Sequence, residues 1–141
     1  MISRSSRFAS LGGVLCLLLA GCAAHSPMIL KNTTDTDLVS KATYPPYGGK
    51  VFVTEQALPA TLKYQMVGTV DVGKVWYGSD KNVLASMAEK ARQIGANAVI
   101  NVKTWHQPSG FSWAAPHGHG EAVRLNDVND VRSTGVAGDW Y

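Results

Sequence analysis

Ser79-Asp80-Lys81-Asn82-Val83-Leu84-Ala85-Ser86-Met87-Ala88-Glu89-Lys90-Ala91-Arg92-Gln93-Ile94-Gly95-Ala96-Asn97-Ala98-Val99-Ile100-Asn101-Val102 joins two periodicities through one glycine. Val83, Leu84, Met87, Ala88, Ala91 and Ile94 recur at the three-and-four spacing of a helix with one apolar face, and Glu89, Lys90, Arg92 and Gln93 fill the other side. Ser79 and Asp80 carry side-chain oxygens that can accept from the free N–H groups of a first turn. Gly95 stands where a helix closes in the left-handed conformation. The spacing predicts a helix over about 80–94, with Met87 as a core filler. Ala96 to Val102 then predicts a strand.

Strands are also expected on either side. Lys50-Val51-Phe52-Val53-Thr54 is a short β-type run, and Tyr64 to Lys74 alternates, with Tyr64, Met66, Val70 and Val72 on one face. Gly68 falls where that face should carry a side chain, which predicts a bulge or a close approach by another backbone. Gly120-Glu121-Ala122-Val123-Arg124-Leu125 is the last strand expected. The expectation is an α+β domain over 50–126: a small sheet of about four strands, in the order β-β-α-β-β, packed against one helix. Residues 22–49 are polar and turn-rich, with the breaker cluster Tyr44-Pro45-Pro46-Tyr47-Gly48-Gly49, and are expected to form a flexible tether. Residues 127–141 are expected to form a loosely ordered tail.

The Gly-Thr-Val strand end at 68–70, the helix, the run Gly95-Ala96-Asn97-Ala98-Val99-Ile100-Asn101-Val102 and the strand with Gly120, Ala122 and Val123 together resemble the YbjQ-type fold. They are also similar to the related domain of the Rcs stress-sensing outer-membrane lipoproteins. The resemblance covers roughly residues 50–126. It implies a helix on a small sheet, with Ala98, Ile100 and Val102 offered to that helix, and a role in protein contact rather than an assigned reaction. The Rcs domain depends on disulfides, and this chain departs from it there, as its cysteines show.

The N-terminus has the layout of a secretory leader. Arg4 and Arg7 precede an apolar run, Phe8 to Ala20, that ends in small residues and Cys22. That run is too short to span a bilayer, which takes about 20 residues. Leu19-Ala20-Gly21-Cys22 resembles a bacterial lipobox. The resemblance implies removal of residues 1–21, diacylglycerol on the Cys22 thiol and N-acylation of the new amine. A thiolate is the side chain nucleophilic enough to take a thioether. Several acyl chains, each buried CH₂ contributing about 0.8 kcal/mol, would hold the domain on the membrane through that lipid anchor. Ala23, where an Asp would favour inner-membrane retention, implies the periplasmic face of the outer membrane. Cys16 leaves with the leader and Cys22 is acylated, so the mature domain is expected to have no disulfide and no thiol chemistry. No cofactor beyond the lipid on Cys22 is expected.

Lys and Arg number 13 against 10 Asp and Glu, and two of the cations lie in the leader. No basic run occurs, so the composition does not predict a nucleic-acid partner. Ser79 and Ser86 lack a Gly-x-Ser-x-Gly elbow, and Glu55, Glu89 and Glu121 lie in unrelated segments. No catalytic set or small-molecule substrate is evident, and an enzyme is not expected. The stretch 104–120, expected to be a long loop, holds the remaining candidates. His117 and His119 could share a Zn, Cu or Ni ion with His106 or Glu121 as third ligand, or they could be solvated without metal. Trp105, Phe111 and Trp113 either fold back as a small satellite core or form an exposed contact patch. The function expected is an envelope lipoprotein acting by contact with envelope proteins or by self-association. A metal-binding or metal-sensing lipoprotein using His106, His117 and His119 is the alternative.

Overall fold

A computed structural model describes residues 23–141; the expected leader and the expected lipid attachment at Cys22 lie outside the described residues. Among the described residues the fold is α+β, with six strands in one sheet and a single α-helix. The strands are β1 (Thr33–Leu38), β2 (Phe52–Val53), β3 (Tyr64–Gly73), β4 (Ala98–Ser109), β5 (Ser112–Leu125) and β6 (Asp139–Trp140), and the helix α1 is Asp80–Gln93. Their order across the sheet is β1-β3-β5-β4-β2-β6. Neighbours run antiparallel except β2 and β4, which are parallel.

The helix follows its apolar stripe. Val83, Met87, Ala88 and Ala91 are buried, while Leu84 and Ile94 pack at the margin of the same cluster. Ser79 takes the N-cap backbone conformation, but its side chain makes no capping hydrogen bond. At the other end Gly95 has φ +81°, the Gly95 N–H donates to the Arg92 carbonyl and the Ala96 N–H donates to the Ala91 carbonyl. That pair of bonds is the Schellman closure, and it delivers the chain straight into β4.

The sheet is larger than the four strands expected, for two reasons. Residues 33–38, expected to lie in a flexible tether, form β1 and pair with β3 from Thr33↔Gly73 to Leu38↔Gly68. Asp is a weak strand former and β-branched Thr a good one; an edge strand needs only one paired side, and its polar side chains can face water. The expected loose tail is likewise fastened. Its 3-10 helix, Val128–Ser133, buries Val128 and Val131, and β6 pairs with β2. The reason lies in β4. Asn101 adopts φ +52°, and the pairing with β5 slips between Ile100 and Lys103. This bulge shifts the alternation, so Val99 and Val102 face the helix while Ala98 and Ile100 face the opposite side. The expectation that Ala98 and Ile100 meet the helix is therefore corrected. Those two residues, with Phe52, Val123 and Leu125, form a second apolar face that the tail must cover, and Trp140 packs on Phe52 at 5.1 Å between ring centres.

Gly68 has both properties its position predicts: the register with β5 slips between Met66 and Gly68, and a side chain there would strike the β1 backbone at Asp37. Asn97 is buried at the mouth of β4. Its side-chain amide donates to the Leu125 carbonyl and its side-chain oxygen accepts from the Leu125 N–H, both at 2.8 Å, so it stands in for a strand neighbour. No helix among the described residues is long and apolar enough to cross a membrane.

Candidate functional site

The stretch 104–120 is a β-hairpin, not a loop: β4 runs to Ser109, β5 starts at Ser112, and Gly110 turns between them with φ +53°. His117-Gly118-His119-Gly120 is strand, and its alternation sorts the side chains onto two faces. A Cβ on Gly118 would sit 2.6 Å from Val83 and 2.7 Å from Met87, so the helix rests directly on that glycine. His117 and His119 project to the other face. His106, opposite Pro116, belongs to the helix side, where its Nε2 lies 3.7 Å from the Asp80 carboxylate at the first turn of α1. The expected metal set therefore does not assemble, because the sheet separates His106 from His117 and His119. Glu121 turns to Asn101, whose side-chain amide donates to it at 3.0 Å. Among the described residues no group of three His, Cys, Asp or Glu has a metal-holding arrangement.

A different cluster does assemble. His25 Nε2 and His119 Nδ1 both donate to Asp71 Oδ1, at 2.8 and 2.9 Å. His25 Nδ1 lies 3.3 Å from His117 Nδ1. His117 is fully buried and its Nε2 has no partner. With His25 Nε2 protonated toward Asp71, His25 Nδ1 is the acceptor and His117 Nδ1–H the donor, which leaves a lone pair rather than an orphaned N–H at the buried His117 Nε2. Trp105 stacks on His117, with ring centres 6.1 Å apart and 24° between planes, and also touches His25 at 4.7 Å. Trp105 is thus a half-buried wall of this cluster and not part of a surface patch.

The cluster fastens the N-terminal segment across the sheet. The Ala24 N–H donates to Asp35 at 2.9 Å, the Gln107 side chain donates to the His25 carbonyl at 2.7 Å, and the Gly110 N–H donates to the Pro27 carbonyl at 3.1 Å. Gln107 is itself held by the Trp105 indole N–H at 2.7 Å. Ala24 is completely buried against Gly73, where any side chain would overlap the Ala24 carbonyl. His25 and Asp71 were not among the sequence candidates. The available signal was Asp71 between Val70 and Val72: a carboxylate in an apolar strand must find donors when it is buried.

Burial is the main influence on His117 and lowers its pKa below the ordinary 6.5; the nearby His25 lowers it further, the Ala24 backbone opposes, and His106 adds a small lowering. Because the folded value lies below the unfolded one, the unfolded chain takes up a proton first as pH drops past 6.5. The stabilisation from His117 is complete above 6.5 and is lost as pH falls through the folded value. The melting temperature of the domain is expected to decline with acidification through this window. In His117→Gln, which cannot titrate, the decline should be shallower; identical slopes would exclude His117 as the source.

Phe111 and Trp113, the other two aromatic candidates, lie at the hairpin tip and are 67% and 82% exposed. Trp76 and Tyr77, on the connection from β3 to α1, join them: Trp76 is 6.5 Å from Phe111 and 5.9 Å from Tyr77 between ring centres, and the Tyr77 hydroxyl lies 3.5 Å from the Trp113 N–H. Their proximity comes from tertiary pairing and has no signature in local spacing.

Comparison with protein-family models, curated proteins and solved structures finds no match.

Proposed function

We propose that the chain is a lipid-anchored envelope lipoprotein of the outer membrane's periplasmic face, acting through protein contact rather than catalysis. The reading starts from Leu19-Ala20-Gly21-Cys22 and from Ala23 in place of an Asp. The resemblance to YbjQ-type and Rcs-lipoprotein domains supports the same assignment through the helix, the Gly95–Val102 run and the Gly-x-Ala-Val strand.

One observation carries it. The chain is fastened to the sheet at Ala24, two residues after the cysteine, and the strand that follows it, β1, is an outermost strand of the sheet. A domain held this close to its anchor has a restricted orientation, and an edge strand offers unpaired backbone groups for strand addition. Leu38 and Val39, both exposed, continue that edge at the end away from Ala24, beside the Val67–Gly68 bulge of β3. They give β1 an apolar flank of the kind that contact surfaces use. In the histidine cluster, Asp71 binds two histidines and the buried His117 faces the strap, so these groups serve to hold the N-terminal segment.

The test is photocrosslinking in intact cells. A crosslinker at Leu38 is expected to trap a second envelope protein or a second copy of the chain, whereas one at Gln93, on the exposed side of α1, gives monomer. Monomer from both positions would contradict the contact reading.

A further inference from the structure

The aromatic hairpin tip is the largest feature that neither the core nor the edge-strand contact uses. Among the described residues nine large apolar side chains are exposed. Six of them belong to one end of the domain: Met28 and Leu30 on the N-terminal strap, Trp76 and Tyr77 before the helix, and Phe111 and Trp113 on the hairpin. The Gly110 N–H donates to the Pro27 carbonyl, and Gly110 packs against the Ile29 backbone, so strap and hairpin tip form one surface. Its composition is also one-sided. Segments 26–34, 72–79 and 105–118 contain Lys31 and Lys74 and no Asp or Glu.

The distance to the anchor selects the occupant. Ala24 is fixed to Asp35 and Pro27 is fixed to the hairpin tip. Five Cα-to-Cα steps lead from Cys22 to Pro27, at most about 18 Å even when fully extended. An acylated Cys22 places the top of the acyl chains at the glycerol level of the bilayer, so the hairpin tip has to lie within that distance of the lipid headgroups. Tryptophan and tyrosine, each with an apolar ring and one polar N–H or O–H, are the side chains that favour this layer. Rim segments that carry lysine, with Asp80 only at their margin beside His106, suit anionic lipid.

We infer that Met28, Leu30, Trp76, Tyr77, Phe111 and Trp113 form a membrane-docking rim that seats in the headgroup layer of the bilayer holding the chain's own lipid. The inference rests on the anchoring of Cys22 proposed above and adds the face on which the domain sits. The rim holds the domain upright on its hairpin end, with the Leu38–Val39 end of β1 directed away from the membrane. The lipid supplies retention and the rim supplies orientation.

The test uses the full mature chain, purified from membranes and reconstituted into vesicles of phosphatidylethanolamine and phosphatidylglycerol whose acyl chains are brominated near the headgroup. Two of the four tryptophans lie in the rim. Indole emission is expected to fall by roughly half relative to unbrominated vesicles. In Trp76→Phe/Trp113→Phe, which keeps the rings apolar, the fall should shrink at least about threefold. Equal quenching of wild type and variant, or none in either, overturns docking. So does the capture of an envelope protein in cells by a crosslinker at Trp113, which would make the rim a protein site. Intact mass of the same sample separates the two readings: acylated Cys22 with unquenched tryptophans refutes docking alone, while Cys22 without lipid refutes anchoring and docking together.

Discussion

Gly73→Ala is expected to lower the melting temperature by about 10 °C and to open the N-terminal strap to protease. The new methyl group would overlap the Ala24 carbonyl oxygen and crowd its carbon and Cα, all backbone atoms with no side-chain rotation to relieve them. Nor can β3 move aside, since Gly73 pairs with Thr33 on one flank and His117 on the other. The strap must therefore lift. It would forfeit the Ala24–Asp35 bond, the His25–Asp71 bond and the seat over His117. Net losses of about 1 kcal/mol per hydrogen bond bring the total to about 2–3 kcal/mol. Differential scanning calorimetry and limited proteolysis read the two effects. Gly48→Ala, at a position with nothing within 4 Å of the added atom, is the control and should be neutral. An unchanged melting temperature and an uncut strap in Gly73→Ala would contradict the packing described.

Met87→Ala is expected to cost about 3 kcal/mol, within the 2–5 kcal/mol range for emptying a core site. Met87 is fully buried at the centre of the helix-facing cluster, and its terminal methyl reaches over Gly118. The other side chain over Gly118 is Val83, which is β-branched and held in one rotamer by the helix, so the cavity should persist. A fall in melting temperature of about 10–15 °C follows for a domain of this size. Met87→Leu, of similar volume, should recover most of it. Denaturant unfolding checks both. Equal loss in the Leu and Ala variants would show that the site does not discriminate by volume.

The helix, its glycine closure and the cores of four strands were legible because each rests on local periodicity. The two missing strands were not. The polar Thr33–Leu38 stretch forms a strand only because β3 supplies the partner, and the last residues are fastened only because a second apolar face needs covering. Ala98 and Ile100 lie on that second face ahead of the Asn101 bulge, and the bulge returns Val102 to the helix side, which an alternation count starting at Ala98 cannot see. His117 and His119 were visible as a pair, yet their glycine neighbours pointed to a loop; Gly118 instead lets the helix approach β5, and Gly120 makes room for Val99 and Val102 of β4. His25 entered the cluster from a segment expected to be a tether, and His106 left it because a strand alternates its faces. Of the three aromatic candidates, Trp105 is a wall of the histidine cluster, while Phe111 and Trp113 join Trp76 and Tyr77 at the surface.

The proposed lipoprotein role requires an acylated Cys22, two residues from the buried Ala24. Intact mass spectrometry of the mature protein, extracted from the membranes of cells expressing the full chain, tests it most directly. The predicted species begins at Cys22 and carries diacylglycerol on sulfur and an acyl chain on its amine. A mature chain that begins at another residue, or that begins at Cys22 with an unmodified thiol, would contradict it.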